Sequence, residues 1–302
     1  MSAADDRDRV KVTNIRKAFT ASLLICASSC AQTSAQSPND RSTSGKTTVT
    51  YCGSQKMDVM APDQVGGTKP MVLYIHGGGW ETGSRKDGFE RRRLKPLMEN
   101  GFAVATLDYR LAPTHKHPAQ IHDVKCAIKY LRANSAVFDI DPDRIGVMGD
   151  SAGGHLAALA GLTSSKDGLE GSSLQNVSSD VKAVATFYGL FDIVNVEQDS
   201  LAVHAVAKTF TDRASKVQGS PVVYIDRNDP PFLIMHGKEI GLLIVAQSVK
   251  LALMLKDAGH SPLLVAVENA GHGFVKRTGK PKPDNKTLDE LLVAFFTAHL
   301  KN

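Results

Sequence analysis

The sequence predicts an α/β protein with a mostly parallel central sheet and helices on both faces. Two patterns carry that expectation. Short, continuous apolar runs bounded by Gly, Pro or Asp occur at 71–75, 102–107, 145–148, 181–188, 232–235 and 263–267. Strands buried on both faces of a sheet read this way, rather than as alternating apolar and polar residues. Among these runs lie longer segments of helical period, at 118–132, 152–163, 245–258 and 288–300. Strand and helix in alternation build a doubly wound sheet, whose functional groups collect at the carboxyl ends of the strands. A chain of 302 residues with 42% hydrophobic and 22% charged residues is long and apolar enough to bury a sizeable core as one domain.

The first 35 residues read as a signal peptide. Arg16 and Lys17 precede the short apolar stretch AFTASLLICASS and the small-residue segment CAQTSAQ, which matches a basic region, an apolar region and a cleavage site in that order. The apolar run is too short to cross a bilayer. The polar MSAADDRDR before it fits an overextended start, with translation beginning near Val10 or Val12. Cys30 follows Ala27, Ser28 and Ser29, a degenerate lipobox, so a lipid anchor on Cys30 stands beside cleavage after Ala31 or Ala35. Residues 36–47 are polar and read as a flexible leader, with the folded domain from 48 to 302. A secreted or periplasmic protein follows, with membrane contact only if Cys30 is lipidated. Cys52 and Cys126 would remain after cleavage, and their spacing marks no disulfide framework or metal site. In an oxidising compartment they could pair, although Cys126, inside an apolar helical pattern, reads better as a buried thiol.

The formal net charge of +5 comes from scattered basic residues, which gives no nucleic-acid footprint. The run Arg91, Arg92, Arg93 reads as a solvated helix face.

Three residue groups carry chemistry. Gly149, Asp150, Ser151, Ala152 and Gly153 fit G-x-S-x-G between the apolar run 145–148 and an Ala/Leu-rich helical segment. A sharp strand-to-helix turn of this kind exposes its serine as a nucleophile and needs small flanking residues. An N-capping serine is the bland reading of such a motif, and the strand-to-helix context favours the nucleophile. His76, Gly77, Gly78, Gly79 and Trp80 follow the run 71–75. Their backbone N–H groups can turn toward a reacting carbonyl, so Gly78, Gly79 and Ala152 are candidate oxyanion-hole donors. No Lys and Ser/Thr follow the glycines as a phosphate loop requires. Gly271, His272, Gly273 and Phe274 follow the last run, which makes His272 the candidate base. His76 reads as support for the glycine loop. His115, His117 and His122 with Asp123 match no common zinc spacing and read as solvated or capping groups.

HGGGW, DYRLAP at 108–113, GDSAGG and GHGF together resemble the hormone-sensitive-lipase-like and acetylxylan/feruloyl-esterase-like branches of the α/β-hydrolases, from about Tyr51 to the C-terminus. The resemblance implies an α/β-hydrolase fold, no cofactor, and acyl-enzyme cleavage of short-chain or carbohydrate-linked acetyl or feruloyl esters. It also implies a catalytic Asp three residues past the Gly of the HG that ends a late strand. Here His236 and Gly237 are followed by Lys238, Glu239 and Ile240, so the acid position holds isoleucine. Glu239 and Asp192 are the candidate substitutes, whereas Glu268 lies on the strand leading to His272 and reads as pointing elsewhere. Two other functions remain open: a binding protein that has lost the acid, and a serine peptidase on the same scaffold.

Overall fold

The computed structural model of the chain describes residues 45–62, 67–196, 202–239 and 242–301. The expected signal peptide and Cys30 lie outside the described residues, as does Ile240. Eight strands form one sheet in the order β1-β2-β4-β3-β5-β6-β7-β8. They are β1 (Lys46–Tyr51), β2 (Gln55–Met60), β3 (Lys69–Ile75), β4 (Ala103–Leu107), β5 (Ile140–Asp150), β6 (Val184–Phe187), β7 (Phe232–Gly237) and β8 (Leu263–Val267). From β4 to β8 across the sheet, every neighbouring pair is parallel. β1 and β2 form an antiparallel extension on the β4 edge. β1 opens inside the expected leader, two residues before the expected start of the domain.

The helices are α1 (Leu94–Glu99), α2 (Ala119–Ala133), α3 (Ser135–Phe138), α4 (Ala152–Leu162), α5 (Ala202–Thr209), α6 (Arg213–Gln218), α7 (Leu242–Asp257) and α8 (Asn285–Leu300). Because strand side chains alternate between faces, the central strands feed two cores. Met71, Leu73 and Ile75 of β3 join Val124 of α2, Leu159 of α4 and Leu251 of α7. Val72 and Tyr74 join Leu97 of α1 and Leu292 and Phe296 of α8. The runs of the central strands were continuous for this reason, both faces being covered, whereas the edge strand β8 leaves Leu263 and Leu264 exposed despite its apolar run.

Two expectations change. The run Arg91–Arg93 is solvated only in part: it lies in a 3₁₀ turn (Phe89–Arg93) in which Arg92 is exposed and Arg91 half-buried, whereas Arg93 is fully buried against Glu90. The Arg93 guanidinium also binds Asp289 and lies 5.7 Å and 5.6 Å from the ring centres of Phe187 and Phe274. Cys126 is no free thiol either. It bridges to Cys52 with the Cα atoms 6.2 Å apart, closing a sequence separation of 74. The turn between β1 and β2 carries Cys52 to α2, which supplies Cys126, a meeting that only the tertiary fold creates. A cross-link closing a loop of this length removes unfolded-state entropy equivalent to about 4 kcal/mol.

The segment 191–229 contains no strand among its described residues. It supplies α5 and α6, and α5 lies over the glycine loop: the Ala205 methyl would sit 3.2 Å from a Cβ added at Gly79. Lys208 of α5 pairs with Glu81 at 2.6 Å, and Phe210 packs edge-on to Trp80.

Candidate active site

Ser151 occupies the turn from β5 into α4 with φ 55° and ψ −120°. A non-glycine residue in this region is strained and persists only where the surroundings over-determine it. Here the surroundings are backbone. A Cβ on Gly153 would lie 2.1 Å from the Ile75 carbonyl oxygen, and one on Gly149 would lie 2.3 Å from the Gly153 oxygen. The start of α4 therefore packs directly on β3 and β5, a contact no larger residue permits. The Ser151 N–H donates to the Phe187 carbonyl at 2.8 Å, fixing the turn to the end of β6.

Asp150 joins this turn to the glycine loop. Its buried carboxyl accepts from the Tyr74 hydroxyl and from the Gly77 N–H. Beyond Gly77 the chain reverses, with Glu81 and Thr82 N–H both donating to the Gly78 carbonyl at 3.1 and 3.0 Å. Gly78 (φ 109°) can have no side chain, because a Cβ there would meet the Thr82 oxygen at 2.2 Å. His76 braces the loop: its Nδ1 bonds the Gly77 carbonyl at 2.7 Å and its ring stacks on Tyr109 at 4.2 Å. Trp80 is pinned from behind. Its indole N–H donates to His155 Nδ1 at 3.2 Å, and His155 Nε2 bonds the Gly219 carbonyl at 2.6 Å. Among the described residues the N–H groups of Gly78, Gly79 and Ala152 donate to no protein acceptor, which leaves them free for a substrate oxygen.

His272 opens a 3₁₀ turn after β8. Its ring lies 4.4 Å from the Tyr188 ring centre and 6.3 Å, edge-on, from Phe89. Tyr188 follows Phe187, whose carbonyl holds Ser151, so topology brings the serine and the histidine to one sheet edge. Tyr188 is itself fixed, its N–H donating to the Met235 carbonyl and its hydroxyl to Glu90 at 2.9 Å. Ser151 Oγ and the His272 ring share no hydrogen bond in this structure. Such contacts commonly tighten only with substrate. Burial lowers the His272 pKa below the ordinary imidazole value.

Neither candidate acid binds His272. Glu239 Oε1 accepts from Thr278 Oγ1 at 2.6 Å. The Asp192 carboxyl takes Asn195 and Lys250; burial raises its pKa, and these bonds more than offset that and lower it. Glu268 is paired with Lys238 at 3.0 Å. The DYRLAP segment has a structural task, with Arg110 forking onto Asp123 at 2.7–3.0 Å. His117 is buried against Phe210, and burial takes its pKa to about 3. Sequence reasoning missed Glu90, Arg93, Tyr74 and Tyr188, the buried polar layer beneath the site.

Asp150 has a measurable signature. Burial raises its pKa to about 6, with the Tyr74 bond opposing and the Glu90 charge adding. An unfolded aspartate titrates near ~3.9, so between these values the folded protein keeps a proton that the unfolded chain has released. The stability contributed by this proton is complete below about pH 4 and lost as pH rises through 6, by about 2–3 kcal/mol. In urea unfolding across pH 4–8 the wild type should lose about 2–3 kcal/mol relative to Asp150→Asn as pH rises, a difference laid over the gain that the buried neutral histidines give to both proteins. Parallel profiles for the two proteins would contradict the assignment.

The chain matches the BD-FAE family over residues 57–255. Esterase LipC of Mycobacterium tuberculosis is 34% identical over 68% of this chain and 53% of its own length. Neutral cholesterol ester hydrolase 1 of Bos taurus is 34% identical over 44% of this chain and 31% of its own. The chain thus spans about half the length of the first of these relatives, and less of the second. A solved structure described as a truncated form of carbohydrate esterase from gut microbiota superposes with a TM-score of 0.69 at 25% identity, covering 86% of this chain and 99% of that one. Esterase 2 of Thermogutta terrifontis, phosphonylated by sarin, shares the fold with a TM-score of 0.73 at 23% identity, covering 85% and 96%. With the parallel sheet, the turn at Ser151 and the family match over 57–255, the chain belongs to the BD-FAE family and has the α/β-hydrolase fold.

Proposed function

We propose that this protein is a serine carboxylic-ester hydrolase that forms an acyl-enzyme on Ser151, acting on short-chain or carbohydrate-linked acetyl or feruloyl esters. The observation that carries the reading is the strained Ser151 turn, set beside backbone amides that have no protein acceptor. Ser151 Oγ attacks the ester carbonyl while His272 takes its proton. The carbonyl oxygen gains negative charge against the N–H groups of Gly78, Gly79 and Ala152, which are already oriented and so need no reorganisation. Collapse expels the alcohol, which receives the proton from His272. Water then attacks the acyl-enzyme, giving its proton to His272, and releases the acid with Ser151 restored. The names of the relatives support ester chemistry, and the carbohydrate-esterase neighbour supports a sugar-linked ester. No nucleic acid or cofactor enters this reading.

A binding protein without turnover is the second reading, favoured by Ile240 at the family's acid position and by the absence of a carboxylate bonded to His272 among the described residues. A triad that lacks its acid loses about 10⁴ in kcat yet stays well above water, so slow hydrolysis and none at all separate the two. A panel of p-nitrophenyl acetate, p-nitrophenyl butyrate, acetylated xylan and methyl ferulate is the test. Turnover of the aryl esters should fall by roughly 10⁴-fold or more in Ser151→Ala. The acid limb of kcat/KM should lie below the ordinary imidazole value of about 6.5, because a buried His272 stays neutral, and competent as a base, to lower pH. Unchanged turnover in Ser151→Ala, or a limb above 7, would remove the reading.

We also propose export, with residues 1–35 as a signal peptide and a secreted or periplasmic protein, or one held at a membrane by a lipid on Cys30. The Cys52–Cys126 bridge supports an oxidising compartment. Non-reducing intact mass of protein recovered from a bacterial host should give an N-terminus near Gln32 or Gln36, or a lipidated Cys30, with the bridge closed. A retained Met1 with both thiols free would contradict export.

A further inference from the structure

His236 takes no part in the reaction above, yet it is built into the base of the site. It sits at the end of β7 with only 1% of its surface exposed. Nδ1 is 2.7 Å from Ser248 Oγ on α7, and Nε2 is buried with no hydrogen-bond partner. A buried ring nitrogen without a partner is expensive to maintain. Burial, with the His272 charge adding, takes the His236 pKa to about 3, so the ring is neutral at working pH.

The strand end that carries His236 touches the loop that carries His272. A Cβ on Gly237 would lie 2.6 Å from both the Ala270 and Gly271 carbonyl oxygens. Glu239 N–H donates to the Ala270 carbonyl at 2.9 Å, and Lys238 N–H to the Val267 carbonyl at 2.8 Å. Among the described residues, the candidate acids are engaged elsewhere: Glu239 with Thr278, Asp192 with Asn195 and Lys250, and Glu268 with Lys238.

We propose that His236 is a positioning residue that takes the place of the missing triad acid, its unpartnered Nε2 accepting a hydrogen bond from Nδ1–H of His272. With its own proton on Nδ1, facing Ser248, His236 presents a lone pair at Nε2. The bond closes by rotation of the His272 side chain, which among the described residues is held by ring contacts with Tyr188 and Phe89. It fixes the tautomer in which His272 Nε2 is bare toward Ser151. No proton passes to His236. A neutral acceptor orients the base as a carboxylate does but stabilises the imidazolium less. The proposal rests on the roles given above to Ser151 and His272.

The test is a double-mutant cycle between His236 and Ile240, read with ester kinetics and imidazole 15N NMR. His236→Leu, which removes the acceptor, should lower kcat roughly ten- to hundredfold, as loss of a hydrogen bond to a charged group implies, with KM nearly unchanged. His236→Gln, which keeps an acceptor oxygen near Nε2, should recover most of that loss. In an Ile240→Asp background, which restores the acid that the family pattern carries at this position, His236→Leu should have little effect. In the wild type and in Ser151→Ala, the 15N shifts should show His236 protonated on Nδ1 and coupled to the His272 Nδ1 proton. Wild-type kcat in His236→Leu, an equal loss in both backgrounds, or a protonated Nε2 on His236 would overturn the proposal. Should no variant or wild-type protein turn over esters while the NMR coupling holds, the esterase reading fails and the pairing stands.

Discussion

The direct packing of α4 on β3 and β5 is the constraint on which the rest depends. Gly149 and Gly153 let backbone meet backbone there, with the position of a Gly153 Cβ already occupied by the Ile75 oxygen. That contact forces the chain to turn within one residue, so Ser151 takes a left-handed φ at a cost of order 1–3 kcal/mol. The serine is thereby lifted out of the sheet at the N-terminus of a helix, where dipole and free N–H groups favour developing negative charge. Asp150 passes the same constraint to the glycine loop through Gly77, so the candidate nucleophile and the candidate oxyanion donors are one mechanical unit.

Electrostatically the site is divided into layers. The buried histidines His76, His117, His155 and His236 all have lowered pKa values, burial being the first cause in each. They act as neutral hydrogen-bonding struts. Beneath Tyr188 the charge is paired, Glu90 with Arg93, and the pair also binds Tyr188 and Asp289. A buried pair of this kind adds little net stability, but loss of one partner strands the other at about 3–5 kcal/mol. Its evident service is positional: it anchors Tyr188, and Tyr188 supports the His272 ring. Among the described residues the half-buried His272 therefore has aromatic rings and no bonded carboxylate against it, in contrast to the charged partner that the family pattern leads one to expect.

Much of this was legible in the sequence, and the exceptions share a cause. The parallel strands and the motifs at 76–80, 149–153 and 271–274 were readable because burial on both faces and tight turns leave local signatures. Strands β1 and β2 were not read, being short and polar at the sheet edge. Arg93 and Glu90, three apart in a charged run, look like a solvated face, and only the tertiary fold shows that α8 and Phe274 enclose them. Cys52 and Cys126 are 74 residues apart, and no local pattern could pair them. Glu239 and Asp192 were chosen for nearness along the chain and at strand ends, which says nothing of side-chain direction; Thr278 and Lys250 proved to be their partners.

Covalent trapping tests the central claim, that the turn at Ser151 presents a nucleophile activated by His272, without requiring the natural substrate. The full-length protein would be incubated with a fluorophosphonate and digested for mass spectrometry, and the labelling rate compared with that of His272→Ala. The account predicts a single adduct on the peptide containing Ser151, forming at least tenfold more slowly in the variant, as loss of general-base assistance implies. No adduct, an adduct on another side chain, or an unchanged rate in His272→Ala would contradict it.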